Sequence, residues 1–245
     1  MMFSNGVNLS SLALKQYLYK LKAYSGFVYG LIMAQIVALF FSLGPMGSMG
    51  TSTDGLSVSV KTYSADVVII FSLAWMLVIA SWLPSKQYKD MEFSLVANRI
   101  SSNLSNFGFL ITCAVFAGLT STLMGVSQRI IMYFTFDRVL FMPDGFFTAP
   151  AELLLGVFVA SLYMILVAAV GYLMKVIIEV HKVFVILIPA VLIGLLRAYT
   201  DSLKAIFNFF TSEHSLLLFT LKILSASIIL FGMSILLSNR MEVRQ

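Results

Sequence analysis

Charge is what this sequence has least of. Only 11% of its 245 residues are Asp, Glu, Lys or Arg, against about 25% in an ordinary soluble domain. With 60% of the residues hydrophobic, too little polar surface remains to cover a core in water. Cysteine is nearly absent too. The single Cys113 excludes an internal disulfide, and within an apolar block it reads as a small core residue. There are two histidines, His181 and His214, and the topology derived below puts them on opposite sides, so they share no metal. A G-x-x-x-x-G-K-S/T phosphate loop, an H-E-x-x-H helix and a G-x-S-x-G elbow are all missing. The chain therefore lacks the residues for nucleotide hydrolysis and for common hydrolase chemistry, and no cofactor or metal is expected on it.

What the chain does have is long apolar blocks. A helix needs roughly 20 residues to cross about 30 Å of hydrocarbon. Six blocks meet or approach that length: 24–43, 67–83 (stopped by Pro84), 107–126, 153–174, 183–196 (with Pro189 and Gly194) and 216–238. The expected fold is all-α, a single polytopic transmembrane domain over 1–245. The first block is too long for the apolar core of a secretory signal, so it reads as an uncleaved first span. Gly44 to Ser64 is rich in Gly, Ser and Thr, shows no helical pattern, and reads as a loop in water. Ile130 to Phe136 is apolar but too short to cross. It either lies at the interface or extends span three.

The net charge of +5 does not point to nucleic acid, because the basic residues sit at block ends and form no patch. They report topology instead. With the N-terminus inside, the inner segments hold Lys15, Lys20, Lys22, Lys86, Lys89, Arg99, Lys175, Lys182, Arg240 and Arg244. The outer segments hold Lys61, Arg129, Arg138, Arg197 and Lys204. That is ten against five, so both termini are placed in the cytoplasm.

Four features could carry mechanism. Residues 8–22 place Leu14, Tyr17, Leu18 and Leu21 on one helical stripe and Lys15 with Lys22 on another face. This predicts a helix lying on the inner membrane surface. After Pro84, the residues Phe93, Ala97, Ile100 and Leu104 also follow helical spacing. That predicts a short helix packing this stripe on the bundle and turning Asn98, Arg99, Ser101, Ser102 and Ser105 to the cytoplasm, where a protein partner would meet them. Gly26 and Gly30 are four apart, a spacing that lets helices approach closely. Finally, the short fifth block with Pro189 runs into Arg197 to His214, where apolar residues such as Phe207 alternate with charged ones. This reads as a hairpin at the outer face, a candidate gate.

Within the spans, only Lys222 and a few Ser and Thr stand out as polar. A central lysine costs about 2.5–3.5 kcal/mol on insertion, which the Leu, Ile and Phe of span six offset at about 0.3–0.6 kcal/mol each. Lys222 either snorkels outward, faces a cavity, or pairs with Glu213 or Glu152. Spans one to five hold no row of carboxylates of the kind proton-coupled carriers use.

This layout resembles the permease subunit of bacterial ABC-2-type ATP-binding-cassette transporters. The matching features are the basic interfacial helix 8–22, six spans, the inner segment Phe93-Ser-Leu-Val-Ala-Asn-Arg-Ile-Ser-Ser-Asn-Leu-Ser-Asn106, which looks like the family's coupling helix, and the hairpin before the last span. The long segment Ser127 to Pro150 departs from the short outer turn usual there. The resemblance implies a permease dimer, as a homo- or heterodimer, with a separate cytoplasmic ATPase carrying ATP and Mg. It implies a bacterial cell-membrane location and an exporter of an amphipathic peptide, a lipid-like molecule or a drug. A membrane-embedded enzyme and a non-transporting assembly or immunity factor remain the alternatives.

Overall fold

A computed structural model describes residues 9–45, 47–53, 56–85, 99–135, 150–181, 183–198, 208–210, 212–213 and 215–240. They are helical apart from one two-stranded hairpin. In chain order the elements are α1 (Leu9–Ala23), α2 (Gly26–Ser42), β1 (Gly47–Thr53), β2 (Leu56–Thr62), α3 (Asp66–Trp82), α4 (Arg99–Thr135), α5 (Pro150–Val180), α6 (Phe184–Ala198) and α7 (Leu216–Arg240).

Local chemistry sets several of these boundaries. The Ser64 hydroxyl accepts the Asp66 backbone N–H at 3.2 Å, and Asp66 places a carboxylate in the first turn of α3, where the helix dipole favours it. Pro84 follows the end of α3, as a residue that cannot continue a helix. Pro150 opens α5 and Glu152 lies in its first turn, the placement a helix start favours. Inside α6, Pro189 leaves the carbonyl one turn earlier without its usual N–H donor.

Helix length decides what each element can do in a bilayer. Among the described residues, Ile100–Thr135, Pro150–Val180 and Leu216–Ser238 are long and apolar enough to cross. Ser10–Ala23 with Gly26–Ser42 makes a fourth if that bent pair counts as one span. The 17 residues of α3 reach about 25 Å and the 15 residues of α6 about 22 Å, each less than the hydrocarbon core. The expected third span of 107–126 is much longer in fact. Because α4 is continuous over 37 residues, the stretch beginning at Ile130 continues it as far as Thr135.

The segment 44–64, expected as a loop without helical pattern, contains the β1–β2 hairpin, antiparallel from Gly47↔Thr62 to Thr53↔Leu56. The signal was local. Asp54-Gly55 joins the two strands in sequence, and that dipeptide is the pair a tight hairpin favours.

The chain divides into two compact units. One draws on Met1–Tyr24, Met76–Cys113 and Ile165–Gln245, the other on Ser25–Trp75 and Ala114–Met164. The second has a core of Ala38, Val67 and Val68 with Phe71 and Met124 against it. In this unit α4 and α5 approach so closely at Gly118 that a Cβ there would lie 2.3 Å from Ser161 Oγ and 2.9 Å from its backbone nitrogen. In the first unit the same need falls on Gly171 of α5, where a Cβ would lie 3.0 Å from the Leu77 carbonyl oxygen and 3.3 Å from the Ala80 Cβ of α3. Small residues at such crossings are how helices pack in lipid, where the solvent supplies no hydrophobic drive to associate.

Over its first turns α4 partitions its side chains opposite to a helix in water, while further on it buries Phe107, Leu110, Ala114 and Ala117 as well. Leu104, Ile111, Val115, Leu119 and Leu123 are exposed, while Ser101, Asn103, Ser105, Asn106 and Ser121 are buried. That pattern suits lipid as the solvent of the apolar stripe, where polar groups are stable only if the protein itself supplies partners.

Candidate functional site

Three polar clusters stand out. The first lies in the unit that contains α1, the start of α4 and the end of α5. Gln16 and Lys20 are four residues apart, on one face of α1, and both are buried, Lys20 completely. The Lys20 ammonium donates to Ser105 Oγ at 2.7 Å, to the Asn106 side-chain oxygen and, at 3.4 Å, to the Ser102 carbonyl. The network then continues in one direction. Asn106 Nδ2 donates to the Tyr172 hydroxyl at 3.0 Å, and that hydroxyl donates to Asn103 Oδ1 at 2.8 Å. Each group gives its hydrogen to the next, so the ammonium polarises the whole chain. Aromatic rings frame it: Phe107 meets Tyr172 edge-on at 5.2 Å, and Phe231 of α7 lies 4.2 Å from Phe107. Both amide atoms of Gln16 and the Asn103 Nδ2 are buried with no hydrogen-bond partner among the described residues.

The second cluster lies in the other unit. Gln35, fully buried near the middle of α2, donates from Nε2 to Ser72 Oγ of α3 at 3.0 Å and to Thr120 Oγ1 of α4 at 2.9 Å. The Ser72 hydroxyl donates in turn to the Val68 carbonyl at 2.8 Å, and that of Thr120 to the Phe116 carbonyl at 3.0 Å. One glutamine thus joins three helices through hydroxyls that each act as acceptor and donor. Nearby in sequence, Gln128 donates to the Ser42 carbonyl at 2.8 Å, tying α4 to the end of α2.

The third cluster surrounds Lys222. Its ammonium donates to the Phe209 carbonyl at 2.7 Å, pairs with the Glu213 carboxylate and sits 3.7 Å above the centroid of the Phe209 ring. Of the readings open at the outset, pairing with Glu213 is the one seen. Glu152 is exposed at the start of α5. Lys222 therefore reaches back toward the residues that precede α7.

The expected partner-facing helix needs correction. Phe93, Ala97 and Asn98 lie outside the described residues. From Arg99 onward there is no separate short helix, since Arg99 is the first residue of the long α4. The stripe is also inverted. Ile100 and Leu104, expected against the bundle, are 42% and 51% exposed, whereas Ser101 and Ser105, expected outside, are buried. Ser102 is half-buried and its carbonyl receives Lys20. The physical reason is the solvent: an amphipathic helix turns its polar face outward in water and inward in lipid.

The other named residues divide. Gly30 packs on Trp75 of α3, whose Nε1 would lie 3.4 Å from an added Cβ, while nothing approaches Gly26 within 4 Å. The glycine spacing thus serves one intramolecular contact at one of its two positions. Pro189 is exposed on α6 and Arg197 lies near its end. Phe207 lies outside the described residues.

Lys222 was not the only polar group of note within the helices. Gln16, Lys20, Gln35, Asn103, Asn106 and Tyr172 form the first two clusters. The signals were present in sequence: Gln16 and Lys20 at i, i+4, Asn103 and Asn106 at i, i+3, and one amide in the apolar run of α2. Among the described residues no group of three or more His, Cys, Asp or Glu is placed to hold a metal. No protein-family model matches the chain, and neither a curated protein nor a solved structure does.

Proposed function

We propose that this chain is the permease subunit of an ATP-driven transporter of the ABC class. In this reading it forms the translocation path as a dimer with a second permease and is driven by a separate ATPase that binds ATP and Mg. Six crossings, an outer hairpin before α7 and both termini in the cytoplasm of a bacterial cell complete the layout.

The observation that carries the reading is the character of the interior. Helices that present Leu, Ile and Val outward bury a set of amides and hydroxyls, Gln35, Ser72, Asn103, Asn106 and Ser121. As they stand these groups bond neighbouring side chains and backbone; where helices part in a transport cycle they would take bonds from a passing solute instead, at little cost because none of the five carries charge. This suits an amphipathic peptide, a lipid-like molecule or a drug. A membrane-embedded enzyme is less well supported. Lys20 and Tyr172, the groups best able to do proton chemistry, are fully buried and already bonded to amides and a serine hydroxyl.

The burial of Ser101, Asn103, Ser105 and Asn106 removes them as a docking face, so in this reading the ATPase contact is assigned to the part of the coupling segment that precedes α4 in sequence, Phe93, Ala97 and Asn98, with Arg99. The test is gentle extraction from the native membrane with a photocrosslinker placed at Asn98 or at Leu104. An ATPase subunit should copurify and be labelled from Asn98 and not from Leu104. Repeated recovery of the chain with no ATPase, or labelling from Leu104 alone, overturns the reading.

A further inference from the structure

The outward side of α1 has a chemistry that its inward side does not explain. Leu14 and Leu18, one turn apart, are 57% and 50% exposed, and Leu21 continues their stripe, half-buried. Beside that stripe stand Lys15 and Lys22, seven residues apart and both exposed, so their stems leave one face of the helix about 10 Å from each other. Tyr19, 45% exposed, flanks them. The helix holds three lysines and no acidic residue. An apolar strip edged by lysines and a tyrosine matches the boundary of an anionic leaflet: acyl chains take the leucines, phosphates take the ammonium groups and the phenol sits between.

The inward side of the same helix is wired. Lys20 bonds Ser105 and Asn106 of α4, and Asn106 passes the link to Tyr172 of α5. Tyr17 adds a second tie to α4 through its hydroxyl, 2.8 Å from Thr112 Oγ1.

We infer that α1 is a lever that reads membrane charge: Lys15 and Lys22 bind anionic phospholipid headgroups, and Lys20 carries the state of the helix to α4 and α5. The occupant of the outer face is the headgroup layer itself, selected by charge complementarity. Each lysine held near an anionic surface favours the docked helix severalfold, and two together do so about 30-fold. The inference goes beyond transport and does not depend on it, so the absence of an ATPase partner would leave it standing.

The test uses the full chain in nanodiscs of phosphatidylcholine, with or without phosphatidylglycerol, read by hydrogen exchange. Phosphatidylglycerol should slow exchange in peptides from α1 by up to about 30-fold and in peptides spanning 101–110 by a smaller factor. Raising the salt to molar levels should reverse both effects, because exposed charges are screened. Lys15→Gln with Lys22→Gln should remove the lipid dependence while leaving exchange in phosphatidylcholine unchanged. Lys20→Met should keep it in α1 and lose it in 101–110. If that variant does not fold, Tyr172→Phe, read at α5 peptides, supplies the same comparison. Equal exchange in the two lipids, or a lipid dependence that survives the double glutamine variant, overturns the inference. A dependence at 101–110 that survives in Lys20→Met or, where that variant does not fold, a dependence at α5 that survives in Tyr172→Phe overturns the lever and leaves only a surface contact.

Discussion

Asn106 sits at the junction of the buried chain, and its loss should cost more than any single hydrogen bond. Asn106→Leu keeps the volume close and removes two interactions, the acceptor for the Lys20 ammonium and the donor to Tyr172. A hydrogen bond to a charged group contributes about 1.5–3 kcal/mol and a neutral one about 0.5–1.5 kcal/mol, the latter averaging about 0.6 kcal/mol in membrane proteins. The expected destabilisation is therefore about 2–4 kcal/mol. Lys20→Met removes the charge and strands two acceptors, Ser105 Oγ and Asn106 Oδ1, for about 1–3 kcal/mol. In the double variant the ammonium and its acceptor leave together, so no charge is stranded. Its cost should fall short of the sum by about 1–2 kcal/mol, the size of coupling seen between residues of one network. Denaturant titration in detergent micelles, followed by circular dichroism and by tryptophan emission, supplies all four corners of the cycle. Strict additivity would mean that the two side chains do not share a bond. A stabilised Asn106→Leu would mean that the network is not formed in the membrane.

Three further outcomes follow from other places in the fold. Gly118→Ala should destabilise the contact between α4 and α5 by about 1–3 kcal/mol, the usual cost of overpacking. Its added methyl would meet both the hydroxyl and the backbone of Ser161, and a variant as stable as the parent in thermal unfolding would refute that approach. Lys222→Met should cost only about 1 kcal/mol, since its pair with Glu213 is partly exposed and its stacking on Phe209 is of the weaker kind. Protease cutting near 209–213 should rise with little change in the unfolding midpoint, and a large drop in that midpoint would show that more than a surface clasp was lost. Tryptophans placed at Ile100 and Leu104 should be quenched by lipids brominated on their acyl chains, and those at Ser101 and Ser105 should not. The reverse pattern would restore the polar face to solvent.

The parts of the fold legible in sequence were those written in long apolar blocks. The fourth and sixth blocks correspond to α5 and α7, because twenty-odd apolar residues interrupted by no charge in the one and by Lys222 alone in the other admit few alternatives in lipid. The ends were less legible, since the polar residues at the start of α4 read as the cytoplasmic face of a short separate helix. Ser101 to Asn106 carry enough hydrogen-bonding groups to face water, and Lys20 and Tyr172 opposite them make burial of Asn103, Ser105 and Asn106 favourable. Lys20 itself was counted as a topological charge. A lysine that snorkels and one that is enclosed read identically along the chain, and the difference lies in what the neighbouring helices offer. Gln35 was passed over for the opposite reason: one amide in an apolar run carries little weight in a hydropathy average, yet it joins α2, α3 and α4. The hairpin is written in sequence chiefly by the local pair Asp54-Gly55, because β1, rich in Gly, Ser and Thr, carries no apolar alternation to announce it.

The same inversion bears on how motion could pass through the molecule. In a soluble helix the core face is apolar, and its contacts slide with small energetic change. Here the buried face of α4 is held by directed bonds, Lys20 to Ser105 and Asn106 to Tyr172, which are either made or broken. A hydrogen-bonded interface of this kind has discrete arrangements, and discreteness is what a two-state machine requires of the element that both ends bias. The chain runs from α1 through α4 to α5. A force applied to the residues just ahead of Arg99 and a change in the seating of α1 would therefore act on the same set of bonds. The expected signature is that Asn106→Leu, at temperatures where the fold is intact, weakens the response to both inputs together. A loss confined to one of them would place the two inputs on separate elements.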